Sequence, residues 1–454
     1  MKCTLHNLGC KVNSYETEAM RQLLEAAGYE IVEFGSETAD VYIINTCTVT
    51  NIADRKSRQM LHKAKKDNPN AVVVAAGCYV QEAGEKLLAD EAVDIIVGNN
   101  RKGQIVEVLE EYFKGRNIDN SFIDINKTRE YENLEINASL AHTRAYIKIQ
   151  DGCNQFCTYC IIPFARGRVR SRKIEDIIDE VRKLAESGCH EIVVTGIHLS
   201  SYGLDFDNTE YNAQPVPNAE RLLQVLEAIA AVDGIDRIRL GSLEPRIITE
   251  TFLERLSAIP QICPHFHLSL QSGCDETLKR MNRRYDTEEF REGVEKIRRF
   301  FDKPAITTDV IVGFPGETDE EFAITRKYLE KINFFEMHVF KYSRRKGTIA
   351  DRMENQIPDS VKSERSDVLI ELDEELSRAY RESFTGSAEV VLVEEYVECD
   401  GIKYAVGHTK RYVKVYISLD CAQAQDIKIN AEIPVIITGI FGKDSVISKV
   451  AIAN

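Results

Sequence analysis

Apolar residues in the first quarter of the chain follow two alternating rhythms. Short continuous runs at residues 4–8, 41–45, 72–76 and 94–97 read as buried strands, and stretches of helical period at 14–27, 51–67, 81–89 and 104–113 read as amphipathic helices. Regular strand–helix alternation predicts a mostly parallel sheet with helices on both faces. Residues 115–142 are polar and aperiodic, as a linker would be. A second series follows, with strands expected at 145–150, 191–195, 237–240, 265–270, 306–312 and 335–340. Helices are expected between them at 174–187, 219–232, 249–258, 287–300 and 319–331. Six strands are fewer than a closed eight-stranded barrel needs, so a partial (β/α)6 barrel is expected, with its active site at the carboxyl ends of the strands. One charged amphipathic helix is expected at 361–383, as a connector spanning 361–385. The remainder changes to short strands, for example at 389–393, 404–408, 412–417 and 433–437, and predicts a small antiparallel β-barrel of about five strands. The fold class is therefore α/β, with domains at 1–114, 143–360 and 386–454.

The 454 residues are 43% hydrophobic and 29% charged, a globular balance at a length that calls for more than one domain. No run of eighteen apolar residues suggests a membrane span. The N-terminus enters a strand-like run without an apolar leader, so a cytoplasmic location is expected. In that compartment twelve cysteines are not a disulfide framework. A net charge of −15 argues against a generally basic, nucleic-acid-coating surface and leaves room for local basic faces.

Cys153, Cys157 and Cys160 follow a C-x3-C-x2-C spacing. Soft thiolates this close point to iron–sulfur or zinc. Three local ligands leave one corner of a four-iron cluster open, which is what chemistry requires. A structural zinc site would want a fourth ligand, and the nearest candidates are Cys189, His190 and His142. A second set is dispersed: Cys10, Cys47 and Cys78 each lie just past a strand end in successive strand–helix units. In an open parallel sheet those loops converge on one crevice, and the helices that follow point their positive ends there, which favours thiolates. A second three-thiolate cluster, zinc, or redox cysteines would all fit this set. Cys3, Cys189, Cys263, Cys274, Cys399 and Cys421 belong to no motif.

The C-x3-C-x2-C run, with Tyr159 before its last cysteine, resembles the cluster motif of the radical S-adenosylmethionine (radical SAM) superfamily. There the open iron chelates the methionine moiety of the cofactor, and one electron splits the sulfonium to release a 5′-deoxyadenosyl radical. Both cysteine sets, their order and the terminal barrel together resemble the radical SAM methylthiotransferase family, whose C-terminal RNA-binding barrel is called TRAM. The wording Leu8-Gly9-Cys10-Lys11-Val12-Asn13-Ser14-Tyr15-Glu16-Thr17-Glu18 and Asn45-Thr46-Cys47-Thr48-Val49-Thr50 resembles the branch acting on N6-threonylcarbamoyladenosine, just 3′ of the anticodon in tRNA. Sister branches act on isopentenyl-adenosine or on a ribosomal-protein aspartate. The resemblance implies [4Fe–4S] clusters on both cysteine sets, with S-adenosylmethionine as radical source and methyl donor. It also implies the tRNA anticodon loop as partner, a flavodoxin- or ferredoxin-like electron donor, and a 2-methylthio product. A different class of reading is a non-catalytic RNA module with zinc in both sites.

The same resemblance puts Thr195 and Gly196 near the methionine end of the cofactor, where glycine would allow close backbone approach. Glu244 and Gln271 follow barrel strands, and Asp309 lies inside one; polar groups there point at the active site, though Glu244 also suits a cap or an ion pair. His198 reads as a proton handler or plain polar surface. Arg166, Arg168, Arg170 and Arg172 alternate, so an extended chain would carry them on one side, to track an RNA backbone or to form a solvated or cofactor-pairing loop. In the terminal barrel Lys403, Lys410, Arg411 and Lys414 interleave with Tyr404, Tyr412 and Tyr416, a mixture that suits unstacked RNA bases or an ordinary soluble surface. The basic residues of the second helix, Arg55 to Lys66, read as a solvated face.

Overall fold

The computed structural model describes residues 1–116, 123–137, 143–206, 219–420 and 426–451. His142, Cys421 and part of the 115–142 linker lie outside the described residues. The N-terminal sheet contains β1 (Lys2–Asn7), β2 (Glu30–Ile31), β3 (Val41–Thr46), β4 (Val72–Gly77) and β5 (Ile95–Val97), all parallel, in the order β2-β1-β3-β4-β5. Tyr42, Ile44, Val73 and Ala75 pack on one face, and Val41, Ile43, Val72 and Val74 on the other, as strands covered on both sides require. β2 left no sequence signal because two residues cannot show a period. The helix expected at 81–89 starts earlier, as Cys78–Ala83, and breaks at Gly84 (φ 64°) into a 3-10 turn over Gly84–Ala89.

The second domain holds β6 (Arg144–Asp151), β7 (Arg170–Ser171), β8 (Glu191–Gly196), β9 (Arg237–Leu240), β10 (His265–His267), β11 (Ala305–Val312) and β12 (Glu336–Lys341). Parallel groups β6-β8-β9 and β10-β11-β12 are joined by bridges at Ile238–Ile262 and Leu243–Leu268, and β7 adds antiparallel to the end of β6. The remaining edge of β6 is covered by the N-terminal domain's helix Lys11–Ala26, whose Tyr15 and Ala19 enter the barrel's apolar core. The open barrel is thus walled by a neighbouring domain.

Helix Asp359–Glu382 packs on β12 and leads to β13 (Ala388–Cys399), β14 (Ile402–Thr409), β15 (Lys414–Ser418), β16 (Glu432–Phe441) and β17 (Ser445–Val450). These close in the order β13-β14-β15-β17-β16, and the expected antiparallel barrel is completed by one parallel pair, β15–β17. Tyr412 leaves the strand expected at 412–417. It turns with φ 67° and inserts at the amino ends of the second-domain strands, between the guanidiniums of Arg144 and Arg239 at 5.0 and 4.6 Å. Among the described residues no helix is long and apolar enough to cross a membrane.

Candidate functional site

Gly152 follows β6 with φ 71°, and a Cβ there would lie 1.8 Å from the Arg168 carbonyl oxygen, so only glycine fits. Phe156 holds a left-handed φ of 48° under the Arg168 guanidinium, 4.4 Å away. The Cys153 N–H bonds the Gly167 carbonyl at 3.0 Å, and the Cys160 N–H bonds the Cys157 carbonyl at 3.0 Å. These constraints fold Cys153, Cys157 and Cys160 into one half-buried loop. Burial first, then the neighbouring Cys157, push the Cys160 thiol up to about 12, and the same causes raise Cys153. A metal cluster would displace those protons and supply the missing positive charge. Arg283 Nη1 donates to Cys157 Sγ at 3.2 Å.

Cys10, Cys47 and Cys78 also converge. A Cβ on Gly9 (φ 114°) would sit 2.9 Å from Cys47 Cβ, and one on Gly77 (φ 96°) would sit 2.5 Å from Asn45 Oδ1, so two glycines let the strand ends close up. Burial first, then Cys78 and Cys10, raise Cys47 to about 12. Asn99 Nδ2 reaches Cys78 Sγ at 3.5 Å, and Cys10 lies exposed at the crevice mouth. Among the described residues neither set has three sulfurs within 4.8 Å of one another, whereas one zinc with bonds of about 2.3 Å would hold them closer than that. His190 pairs instead with Asp236 at 2.7 Å and Cys189 with the Glu191 carbonyl at 3.4 Å, so neither completes a zinc site.

A buried charge network joins the two loops and corrects the expectation for the arginine row. Arg166, Arg170 and Arg172 are 0–1% exposed and cannot track RNA. Arg166 donates to Glu16 at 2.9 and 3.0 Å, to Asp151 at 3.1 and 3.0 Å, and to Asn13 Oδ1 at 2.6 Å. Lys102 and Lys148 donate to the same Glu16 at 2.7 and 2.8 Å. Burial alone would raise the Glu16 carboxyl, but Arg166, Lys102 and Lys148 hold it well below the usual range. Lys102 also donates to Asn99 Oδ1 (2.6 Å) beside Cys78, and Asp151 accepts from Gly152 N (2.8 Å) beside Cys153. Arg170 donates to the carbonyls of Arg166 and Arg168, and Arg172 pairs with Glu180 beside Tyr15. Asn13, Tyr15 and Glu16, read first as motif letters, are thus the docking face of the N-terminal domain. Arg345 makes a second link, to Thr48 Oγ1 (2.7 Å), Asn51 Oδ1 (2.8 Å) and Asp54 Oδ2 (2.6 Å) in the segment after Cys47.

Between the two cysteine loops lies a cleft of about 240 Å³. Val49 and Thr50 line it from the Cys47 side, Tyr159 from the Cys160 side, and Gln271, Asp309 and Ile311 from the barrel. Thr195 and Gly196 end β8 against Gln150, where a Cβ on Gly196 would meet Gln150 at 3.0 Å. Glu244 accepts from Gln155 Nε2 at 3.0 Å, lies 3.1 Å from His198 Nε2 and pairs with Arg246. Burial would raise its carboxyl, but His198 and Arg246 outweigh this and bring it to about 2. Inward residues that sequence reasoning missed are Lys11, His267 and His338. His267 Nε2 is 3.3 Å from Asp309 Oδ2 and its ring stacks on His338 at 5.8 Å. Strand alternation marks His338 and Phe340 as facing away from buried Met337, but a lysine after a helix-capping cysteine carries no such signal.

The basic residues of the terminal barrel divide. Lys410 donates to the Pro260 carbonyl at 3.1 Å, and Arg411 binds Glu389 and the carbonyls of Asp302 and Lys303, so both fasten this barrel to its neighbour rather than face RNA. Lys403 stays exposed, and Lys414 lies 5.4 Å from the Tyr416 ring, in an aromatic group with Tyr404 and Phe441.

The chain matches the Radical SAM superfamily over residues 147–329 and the Uncharacterized protein family UPF0004 over residues 2–98. It is 43% identical over 411 residues to the threonylcarbamoyladenosine tRNA methylthiotransferase MtaB of Bacillus subtilis, covering 90% of this chain and 89% of that one. The Aquifex aeolicus protein of the same name is 39% identical, covering 87% and 93%, and its tRNA-2-methylthio-N(6)-dimethylallyladenosine synthase is 37% identical, covering 87% and 88%. In fold it is similar to the radical S-adenosylmethionine methyltransferase TsrM of Kitasatospora setae, with a TM-score of 0.54 at 16% identity over 76% of this chain and 72% of that one. A C-x3-C-x2-C loop at Cys153–Cys160 inside the Radical SAM match, an N-terminal sheet with three converging cysteines, and full-length kinship at this identity place the chain in the radical SAM methylthiotransferase family, whose superfamily chemistry uses a [4Fe–4S] cluster and S-adenosylmethionine.

Proposed function

We propose that the protein converts N6-threonylcarbamoyladenosine of tRNA to its 2-methylthio derivative. One observation carries this: a single cleft is lined both by Tyr159 of the Cys153–Cys160 loop and by Val49 and Thr50, just past Cys47. Cys153, Cys157 and Cys160 would hold the radical-generating cluster, and Cys10, Cys47 and Cys78 a second one. When bound, these groups supply reductive cleavage of the cofactor sulfonium, sulfur insertion and methylation. The chain's own residues do the rest. Gly152 and Phe156 set the cluster loop, and Gln155 ties that loop to Glu244. Thr195, Gly196, Glu244, Gln271 and Asp309 are the candidates for holding S-adenosylmethionine at the strand ends, with Tyr159 beside the cleft. The charge network fixes the distance between the two cysteine sets. Lys403 and Lys414, beside the Tyr404–Tyr416–Phe441 rings, form the remaining candidate surface for the anticodon arm.

The test is iron and labile sulfide per anaerobically prepared chain. About eight irons should fall to about four in Cys153/Cys157/Cys160 and in Cys10/Cys47/Cys78 triple-alanine variants, each abolishing product. Mass spectrometry of tRNA nucleosides from a deletion strain should show loss of the methylthio-threonylcarbamoyl nucleoside. Loss of the methylthio-isopentenyl nucleoside instead would transfer the protein to the sister activity of the 37% relative.

A further inference from the structure

Lys11 begins the helix that walls the partial barrel, on the face whose Tyr15 and Ala19, four and eight residues on, enter the barrel core, and among the described residues it has no counter-ion there. Arg144 is tied to Glu394, Glu191 and the Tyr412 hydroxyl. Arg239 is tied to Glu191 at 2.9 Å and Arg237 to Glu432 at 2.5 Å. Asp309 is answered by His267. Lys11 comes from outside the barrel, one residue past Cys10, and the charges that act on it are those of Arg239, Arg144, Asp309 and Glu191, all barrel residues. His265 of β10 feels Lys11 in turn. Lys11 is exposed to solvent, and among the described residues its ammonium has no hydrogen-bond or ion-pair partner. His338, also exposed and without a hydrogen-bond partner among the described residues, stands beside Asp309. Asp309 connects this spot to the cleft, which it also lines.

An exposed, unpaired ammonium on the helix that walls an open barrel, beside arginines already answered by Glu191 and Glu394, is the free positive group there and suits an anion. The Arg283 charge that acts on Asp309 disfavours a cation at His267, Asp309 and His338, although those ligand atoms lie within 4.8 Å of one another. Resting on the function proposed above, the chemistry of the substrate names the anion. The threonylcarbamoyl group carries a carboxylate, the isopentenyl group carries none, and both hang from N6. An adenine that presents C2 to the two cysteine loops carries N6 on the same six-membered ring. We infer that Lys11 binds the threonyl carboxylate and is a specificity-determining residue that separates a carboxylate-bearing adenosine from an apolar one. Placing it next to Cys10 couples recognition of the N6 group to the position of the second cysteine set.

The experiment measures equilibrium binding of the anaerobically reconstituted full chain, by fluorescence anisotropy. Two anticodon stem–loop RNAs are compared: one with N6-threonylcarbamoyladenosine, the other with the same group as its methyl ester. Wild type should prefer the acid by about tenfold or more, the size of one charge-assisted hydrogen bond. Lys11→Gln should bind both RNAs alike, at the ester's affinity, and Lys11→Arg should restore the preference. Iron is measured on each variant because Cys10 is adjacent, and the wild-type comparison of acid with ester requires no variant. Equal binding of acid and ester by wild type would overturn the inference. So would a preference that survives in Lys11→Gln, including the case where that variant loses affinity for S-adenosylmethionine alone, which would give Lys11 to the cofactor's carboxylate. Absence of methylthio product from the acid RNA in wild type would instead refute the proposed reaction, and the binding preference would still be readable.

Discussion

Cys153, Cys157 and Cys160 meet because one short loop brings them together, whereas Cys10, Cys47 and Cys78 meet because three parallel strands end at the same edge of a sheet. The first site needs two unusual backbone conformations, at Gly152 and Phe156. The second needs two glycines that let neighbouring strand ends touch, and a helix docked across a domain boundary. A local site fails with its loop, and a topological site fails with the packing around it. Perturbations should therefore separate the two.

The largest expected effect is Gly152→Ala. Its Cβ would meet the Arg168 carbonyl at 1.8 Å, so the radical loop should not form and iron should fall by about half, leaving the N-terminal site loaded. Iron analysis beside the Cys10/Cys47/Cys78 triple variant checks this, and full iron retention would show that the loop tolerates the strain. Next comes Glu16→Gln, which removes the shared counter-charge of Arg166, Lys102 and Lys148. Breaking such a buried arrangement costs about 3–5 kcal/mol. Urea denaturation should report that loss, with iron falling at both sites; loss at one site alone would show that the network does not serve both. Arg345→Met removes the clamp on the Cys47 loop, should cost about 1–3 kcal/mol, and should lower iron only at the N-terminal site.

The smallest effect is a control in neither site. Burial raises Asp373 from 3.8 to about 6, against the hydrogen bond it accepts from Met337 N. A carboxyl raised in the folded state costs stability when ionised; that cost is absent below pH 3.8, grows towards pH 6 and then stays constant. Asp373→Asn should stabilise by up to about 1 kcal/mol at neutral pH, after allowance for partial solvent exposure, and by nothing below about pH 4. Thermal denaturation at both pH values checks the sign, and iron should not change.

Sequence pattern carried most of the architecture, because period and strand-end position are local properties. The six barrel strands, the connecting helix and the change to a small terminal barrel all lie where hydrophobic rhythm put them. The closeness of Cys153, Cys157 and Cys160 was legible for the same reason. The arginine row was misread because alternation shows that side chains share a side and says nothing about what faces them; Glu16 lies 150 positions from Arg166. Lys410 and Arg411 were misread similarly, since their carbonyl acceptors on residues 260, 302 and 303 have no side-chain signature. Lys11 lay outside the helix expected at 14–27; the helix begins at Lys11 itself and covers the open side of the barrel, which no local pattern shows.

The shared carboxylate of Glu16 also sets the unit of inheritance. A recombinant that takes residues 1–114 from one relative and the barrel from another exchanges Asn13, Tyr15 and Glu16 without Lys148, Asp151, Arg166, Arg172 and Glu180. Unless the donors agree at all eight positions, the chimera buries unmatched charge. The two halves of this enzyme are therefore heritable only as a pair, and substrate preference can be shuffled among relatives only by cuts that leave this interface whole.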